Sequence, residues 1–513
     1  MEKEKTHRKR ILSPKVIKVV SLAIAVVAQI AVIVVLYIFF SGRFMPVNWV
    51  LKTLSVIAVL VILRSDSDPS YKIPWIVLIL VVPLLGGCMY LWYGRRHIGK
   101  KSEQRIIHVA KMCREALYTR KYYNNELIDD KICGQANYLM DFVDAPAYRN
   151  TTATYFPLGE DFLPVFIEEL KKAEKFIFME YFIIERGIML DAVLNVLIEK
   201  AKEGVEVRFM YDSFGSILKA PGDLVKSLRK MGIQCYEFNT FRTVLDGRYN
   251  NRDHRKICVI DGNVGFTGGL NLADEYINKK KICGHWKDTA IMLKGEAVWS
   301  LTTMFLALWD VSFHKQDDFL KYKPTAKFNY MDGYFIPYTD YPNDDEQVGK
   351  NVYLNMIGKS DRYVYIMTPY LILDATMANA LENAAKRGVD VRIITPGIPD
   401  KRFAYMLTQS YYEALIKAGV KIYEYEPGFV HAKIFMSDDE SAIVGTINLD
   451  YRSLTHHYED AVLIYKSGVL KDIMADFQNT LSKCREVSLR DCKKFSILKT
   501  LLLPILRLLS PLF

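Results

Sequence analysis

No two of the eight cysteines, at positions 88, 113, 133, 235, 258, 283, 484 and 492, stand at C-x-x-C spacing. That absence argues against a disulfide framework and a zinc site, and fits a reducing compartment. No group of His, Cys and carboxylate residues has metal-ligand spacing in the sequence, so neither a metal nor another cofactor is expected. No small-residue cleavage site follows the first apolar run, which is also too long for a signal peptide. Acidic residues are too few to balance the basic ones, leaving a net charge of +10. The basic clusters sit beside apolar runs, a pattern that favours an anionic membrane surface over nucleic acid as partner.

At 513 residues the chain is long enough for two or three units. Residues 1–15 form a basic tail, and apolar runs crowd into residues 16–94. The first run extends to about Phe40, the second covers about Val47–Leu63 and carries Lys52, and the third runs from Ile73 to Tyr93. A membrane span needs about 20 apolar residues, so the first and third are expected to span and the second is marginal. Arg95, Arg96, Lys100, Lys101 and Arg105 follow the last run and place the remaining body on the cytoplasmic side. Residues 95–150 are expected as a partly helical connector.

A helix–strand rhythm begins at Gly159. Phe176–Ile184 reads as a buried strand, about Leu190–Gly204 as a helix, and Val205–Tyr211 and Gln234–Phe238 as further strands. The second half repeats the pattern: Tyr363–Pro369 is a strand, Ala375–Lys386 a helix, and Gly388–Thr395 and Ala418–Glu424 mirror the earlier strands. Alternating helices and strands predict an α/β fold with two lobes, each a mixed or largely parallel sheet covered by helices. The lobes are expected over 151–325 and 347–483, with a linker over 326–346. The Leu-rich, basic segment 484–513 is expected to lie on a membrane surface.

The rhythm surrounds one duplicated stretch. His254-Arg-Lys-Ile-Cys-Val-Ile-Asp261 leads to Gly268-Gly-Leu-Asn271, and His431-Ala-Lys-Ile-Phe-Met-Ser-Asp438 leads to Gly445-Thr-Ile-Asn448. Both read H-x-K-x4-D-x6-G-[GT]-x-N at a constant offset of 177, which marks an internal repeat. If the motif starts on a strand, His254 and Lys256 share one face, as do His431 and Lys433. Lobes packed about a pseudo-twofold axis would then bring two histidines, two lysines and two asparagines together. That set suits a phosphodiester: one imidazole attacks phosphorus, the other protonates the leaving alcohol, and lysine with Asn271 and Asn448 holds the phosphate oxygens. An attacking imidazole needs a carboxylate partner. Asp288 follows His254 by 34 residues and Glu459 follows His431 by 28, and these two are the expected orienting carboxylates. Asp261 and Asp438 complete the candidate catalytic set, although their places at strand ends suit the bracing of turns equally well. His456 and His457 adjoin Glu459 and are further candidates for the site lining, and Cys258 is expected to face the site as packing.

At these residues the chain resembles the phospholipase D superfamily, whose hallmark is the paired H-x-K-x4-D motif. Gly159-Glu-Asp-Phe162, Tyr211-Asp-Ser-Phe-Gly-Ser216, Trp286-Lys-Asp-Thr289 and Gly445-Thr-Ile-Asn-Leu-Asp-Tyr-Arg-Ser453 are similar to the bacterial cardiolipin synthases. The resemblance covers roughly residues 70–513. It implies two pseudo-symmetric phospholipase D-like lobes after a transmembrane region, in a multi-pass protein of the bacterial cell membrane. It further implies metal-independent phosphatidyl transfer between two phosphatidylglycerol molecules, with His254 as nucleophile and His431 as acid and base. Two departures stand out: Gly269 and Thr446 occupy places where serine is frequent, and His457 replaces a common asparagine. A hydrolase, a transferase using another alcohol, a nuclease and an inactive membrane scaffold are the competing readings.

Overall fold

The computed structural model describes residues 31, 35, 45–65, 69–91, 100–117, 130–239, 251–342 and 346–492, with 503, 504, 506–508 and 510 of the tail. The first apolar run, to about Phe40, lies almost wholly outside the described residues, as does most of the segment 239–252.

The described residues of the amino-terminal unit are almost all helical. Helix Met45–Arg64 contains the second apolar run, and Trp49, Leu54, Ile57 and Leu60 are exposed on it. The third run was expected to pass through as one span, but it is broken. Pro69–Val81 ends at Val82, and Pro83 opens a separate short helix, Pro83–Met89. Proline lacks the amide proton that a continuous helix needs and its ring crowds the preceding turn, so position 83 starts a helix instead of continuing one. Among the described residues no helix is long and apolar enough to cross a membrane.

The first lobe holds β1 (Thr151–Phe156), β2 (Phe176–Tyr181), β3 (Glu206–Asp212), β4 (Gln234–Phe238), β5 (Arg252–Asp253), β6 (Ile257–Ile260), β7 (Val264–Gly268), β8 (His285–Lys287) and β9 (Ala290–Gly295). Seven of these form one sheet in the order β1-β9-β7-β6-β2-β3-β4. β2, β3 and β4 are parallel, and Ile177, Met179, Val207, Phe209 and Cys235 pack in one apolar cluster with helices Gly159–Lys171 and Ile188–Lys202, which cover that face.

The second lobe repeats the plan with β10 (Tyr334–Asp340), β11 (Tyr363–Met367), β12 (Asp390–Pro396), β13 (Lys421–Tyr425), β14 (Gly428–Val430), β15 (Ile434–Ser437), β16 (Ser441–Gly445), β17 (His457–Tyr465) and β18 (Cys484–Glu486). Its main path runs β10-β17-β16-β15-β11-β12-β13-β18. Two expected boundaries move as a result. Residues 326–346 are not simply a linker, since β10 pairs along its whole length with β17, from Tyr334↔Tyr465 to Asp340↔Glu459. The tail does not begin at 484, since β18 extends the sheet beside β13. Farther on, Leu503 and Ser510 are buried and the Arg507 guanidinium lies 4.1 Å from the ring centre of Tyr411, so these tail residues pack on the body.

The two sheets face one another across a shared core. Phe178, Val259 and Leu293 of the first sheet meet Met436, Val444 and Val462 of the second in one apolar cluster. Helix Val298–Phe313 sits within it and is apolar nearly all round, as a helix buried on every side must be. The expected connector contributes too. Helix Lys100–Leu117 joins this shared core, and helix Asp130–Val143 packs on the second lobe through Ile132 and Leu139.

Candidate active site

Two short parallel ladders stitch the lobes together. β5 pairs with the start of β17, Arg252 opposite His457 and Asp253 opposite Tyr458. β14 pairs with β8, from Gly428↔His285 to Val430↔Lys287. Parallel strands in register deliver the residues that follow them side by side. His254 follows β5 and Glu459 follows Tyr458; His431 follows β14 and Asp288 follows β8. Backbone bonds seal the ends: His254 N donates to Tyr458 O at 3.0 Å and His431 N to Lys287 O at 2.7 Å.

The carboxylates are therefore exchanged between halves. His254 Nδ1 lies 2.9 and 3.0 Å from the two oxygens of Glu459, and His431 Nδ1 lies 2.6 Å from Asp288 Oδ2. Spacing along the chain had set Asp288 after His254 and Glu459 after His431; the ladders give each carboxylate to the other lobe's histidine. All four side chains are buried.

The H-x-K segments are not inside strands, as alternation assumed, but span the gaps between β5 and β6 and between β14 and β15. Each lysine nevertheless turns back to its histidine. Lys256 Nζ donates to His254 O and Lys433 Nζ to His431 O, and Lys433 Nζ is also 2.9 Å from His431 Nδ1. Burial lowers both ammonium groups, Lys256 to about 8 and Lys433 to about 7, against the pull of Asp288 and Glu459. Burial likewise drives His254 well below the ordinary imidazole value and His431 to about 4, with the neighbouring lysine charge adding to the effect. Burial pushes Glu459 and Asp288 upward, yet their histidine partners hold both below the usual carboxylate range. Neutral imidazoles facing ionised carboxylates result at neutral pH.

The closing residues of the two motifs divide into different tasks. Asn271 Oδ1 accepts from Ile183 N at 2.8 Å and its amide donates to Tyr276 OH at 2.8 Å, so this side chain fixes the loops around His431. Asn448 is buried and its Oδ1 has no hydrogen-bond partner. Asp261 and Asp438, included in the candidate catalytic set, lie at the far ends of β6 and β15 from the histidines. Asp261 accepts the backbone N–H groups of Glu174, Lys175 and Phe176 at 2.7–2.8 Å, and Asp438 those of Asp361, Arg362 and Tyr363 at 2.8–2.9 Å. Each sits at positive φ, 53° and 57°. They brace the entry to β2 and β11. Cys258 does not face the site either, but packs in the apolar core under the first lobe's outer helices.

Gly269 and Thr446 differ because their carboxylates do. A Cβ at Gly269 would stand 2.0 Å from Asp288 Oδ1, so only glycine leaves room for that carboxylate. Thr446 instead donates its hydroxyl to Glu459 and receives the Asp460 N–H at 3.0 Å. His457 enters the site: its Nδ1 lies 3.5 Å from Glu459 Oε1 and its ring centre 5.5 Å from that of His254. Ligand atoms of His254, His457 and Glu459 lie within 4.8 Å of one another, close enough to hold a metal ion, a cluster that chain spacing concealed because it spans both lobes.

Aromatic walls complete the lining. Phe182 meets His254 edge-on at 5.0 Å, while Tyr276 and Trp286 lie 5.6 and 5.5 Å from His431. Sequence reasoning missed Phe182 and Tyr276 as site residues, although Phe182 lies within the Phe176–Ile184 stretch it had read as a strand. It also missed Arg255, wholly buried where the second motif has Ala432, whose guanidinium meets Glu180 at 2.7 Å and Asp253 at 3.4 Å.

Two lobes that each contribute a His–Lys pair, and exchange the carboxylates, define an enzyme of the phospholipase D type. The comparisons agree. Residues 166–309 and 353–481 match the family described as cardiolipin synthase, PLD-like domain, and residues 53–95 match the phospholipase D-nuclease N-terminal family. A cardiolipin synthase of Clostridium perfringens is 36% identical, over 87% of this chain and 94% of that protein. One from Geobacillus sp. is 32% identical, over 92% and 95%. An uncharacterized Streptococcus mutans protein is 45% identical, over 89% and 99%. The crystal structure of phosphatidylserine synthase from Haemophilus influenzae superposes with a TM-score of 0.57 at 12% identity, covering 74% of this chain and 99% of that one, which bears on the fold alone. The chain belongs to the bacterial cardiolipin synthase family of the phospholipase D superfamily, and is a phosphatidyltransferase.

Proposed function

We propose that the chain joins two phosphatidylglycerol molecules into cardiolipin and glycerol through a phosphatidyl-histidine intermediate. The pair of crossed His–carboxylate dyads carries this reading. His254, neutral and with its Nδ1 proton held by Glu459, presents Nε2 to phosphorus. As the N–P bond forms, the P–O bond to glycerol breaks and the departing oxygen takes a proton from His431. The phosphodiester's own negative charge favours the protonated form of His431 when substrate is bound. In the second half-reaction the hydroxyl of another phosphatidylglycerol gives its proton to His431, attacks phosphorus and releases His254. Lys256, Lys433 and Asn448 stabilise the phosphoryl oxygens as charge builds. The asymmetry of the dyads supports these roles. Glu459 holds His254 with two oxygens, whereas His431 Nδ1 meets a single Asp288 oxygen at 2.6 Å.

The substrate is a membrane lipid. The exposed apolar surface of helix Met45–Arg64 and the apolar runs of 16–94 support attachment to the bacterial cell membrane, and the basic residues from Arg95 onward support a cytoplasmic catalytic body. The test is incubation of the purified chain with phosphatidylglycerol vesicles without added metal. Cardiolipin and glycerol in equal amounts, lost in His254→Ala and His431→Ala, are expected. Phosphatidic acid without cardiolipin would replace this reading with a hydrolase.

A further inference from the structure

Both histidines lie where parallel strands end: His254 beside the exit of β2 and β3, His431 beside that of β11 and β12. The loops leaving these ends carry apolar side chains that point into solvent. Ile188, Leu218, Ile282 and Ile398 are 59, 63, 51 and 42% exposed, and they lie on four neighbouring segments, the first at the start of helix Ile188–Lys202. Arg186, Lys279, Lys281, Lys401 and Arg402 are exposed among them, with Asp400 as an exposed acid of the same loops.

These loops form one rim across both lobes. Lys219 ties Glu185 at 3.1 Å to Glu275 at 2.5 Å, and Lys280 also pairs with Glu185. A Cβ at Gly284 would lie 3.1 Å from Ile398 Cδ1, and Cys283 Sγ donates to Pro399 O at 3.5 Å. The rim is continuous with the site. Gly215 backs directly onto Phe182, whose ring meets His254, and Tyr276 of the same loop as Ile282 meets His431.

We propose that this rim is the membrane-docking surface of the catalytic body. Leu218, Ile282, Ile188 and Ile398 enter the boundary beneath the headgroups of an anionic bilayer, while the basic side chains between them meet lipid phosphates. Alternation of aliphatic tips with Lys and Arg is the chemistry of an interfacial surface. Docked this way, Phe182 and Tyr276 face headgroup level, where a phosphodiester reaches the buried histidines without its acyl chains leaving the bilayer. The inference rests on the lipid reading of the site.

The test uses the full-length double variant Leu218→Asp/Ile282→Asp on one headgroup in two forms: phosphatidylglycerol in vesicles, and short-chain phosphatidylglycerol dispersed as monomers. The vesicle rate is expected to fall at least tenfold and the monomer rate to stay within twofold. An unchanged vesicle rate overturns the proposal, and so does an equal fall on both forms. Leu218→Ser/Ile282→Ser is judged by the same criteria if the charged variant does not fold. Met331→Asp is the control and keeps both rates, since Met331 is 75% exposed but precedes β10 at the Tyr465 end of β17, away from Glu459. Hydrogen exchange separates this from failure of the lipid-transfer reading, because it needs no turnover. Slower exchange at 186–188, 214–219, 279–282 and 398–402 in phosphatidylglycerol vesicles than in phosphatidylcholine vesicles supports docking; equal exchange overturns it.

Discussion

The Glu459 carboxylate spans His254 Nδ1 with oxygens at 2.9 and 3.0 Å, although the two residues are 205 positions apart and belong to different lobes. A carboxylate so placed fixes the imidazole tautomer and stabilises the charge that attack creates on it. Glu459→Gln keeps the shape and removes the charge. Its kcat is expected to fall by about 10²–10⁴ with little change in KM. Steady-state rates on phosphatidylglycerol check this, and an unchanged kcat would remove Glu459 from the mechanism.

Gly269→Ala tests the second dyad without touching it. The backbone at 269 is not in the left-handed region, so alanine is resisted only by Asp288 Oδ1 at 2.0 Å. The carboxylate must swing away from His431. Loss of kcat by about 10²-fold or more is expected, matching Asp288→Asn, with a crystal structure showing the His431–Asp288 bond broken.

The pH profile follows from the lysines. A lysine with a lowered pKa is cationic only below that value, so Lys433 loses its charge near 7 and Lys256 near 8. The histidines stay neutral across this range, being shifted down as well. Consequently kcat/KM, which reports the free enzyme, should fall as pH rises through 7 to 8. Bound phosphate favours the ammonium forms, so the fall in kcat should lie at higher pH. A Lys433→Met variant that kept the fall near pH 7 would show that another group causes it.

Asp261→Ala and Asp438→Ala should separate stability from chemistry. Each removes a carboxylate that accepts three backbone N–H groups, at a cost of about 1–3 kcal/mol. Denaturant midpoints should drop, while kcat per folded molecule remains close to that of the parent. A selective loss of kcat would return these residues to the catalytic set.

Zinc should inhibit reversibly. His457 Nδ1 is buried without a hydrogen-bond partner beside His254 and Glu459, and the three ligand atoms lie within 4.8 Å of one another. A zinc ion bound there at about 2.0–2.2 Å per ligand displaces the His254 proton and occupies the carboxylate. Chelator should restore the rate. His457→Asn should raise the half-inhibitory concentration about tenfold or more, and equal sensitivity of the variant would place zinc elsewhere.

Much of this architecture was legible because a repeat constrains two places at once. The offset of 177 picked out His254, Lys256, His431 and Lys433, and the helix at Ala375–Lys386 was read to the residue. Three features escaped for distinct reasons. Which histidine receives Glu459 depends on the pairing of β5 with β17, and neither two-residue β5 nor its partner has a periodic signal. β10 was absorbed into a linker because an edge strand beginning Tyr-Phe-Ile-Pro follows a polar stretch and includes a proline, which only an edge position tolerates. Asp261 was left between catalysis and turn bracing because motif membership does not reveal direction; the strand carries it to the opposite end of the sheet from His254.

The crossed ladders also set when the protein becomes reactive. Synthesis produces His254 long before Glu459, and domains fold as they emerge. A chain stopped anywhere in those 205 residues holds the first lobe's histidine without the group that orients it. On the proposed mechanism, reactivity toward phosphodiesters is therefore expected only once the second sheet closes on the first, and a chain that ends before Glu459 is expected to be inert.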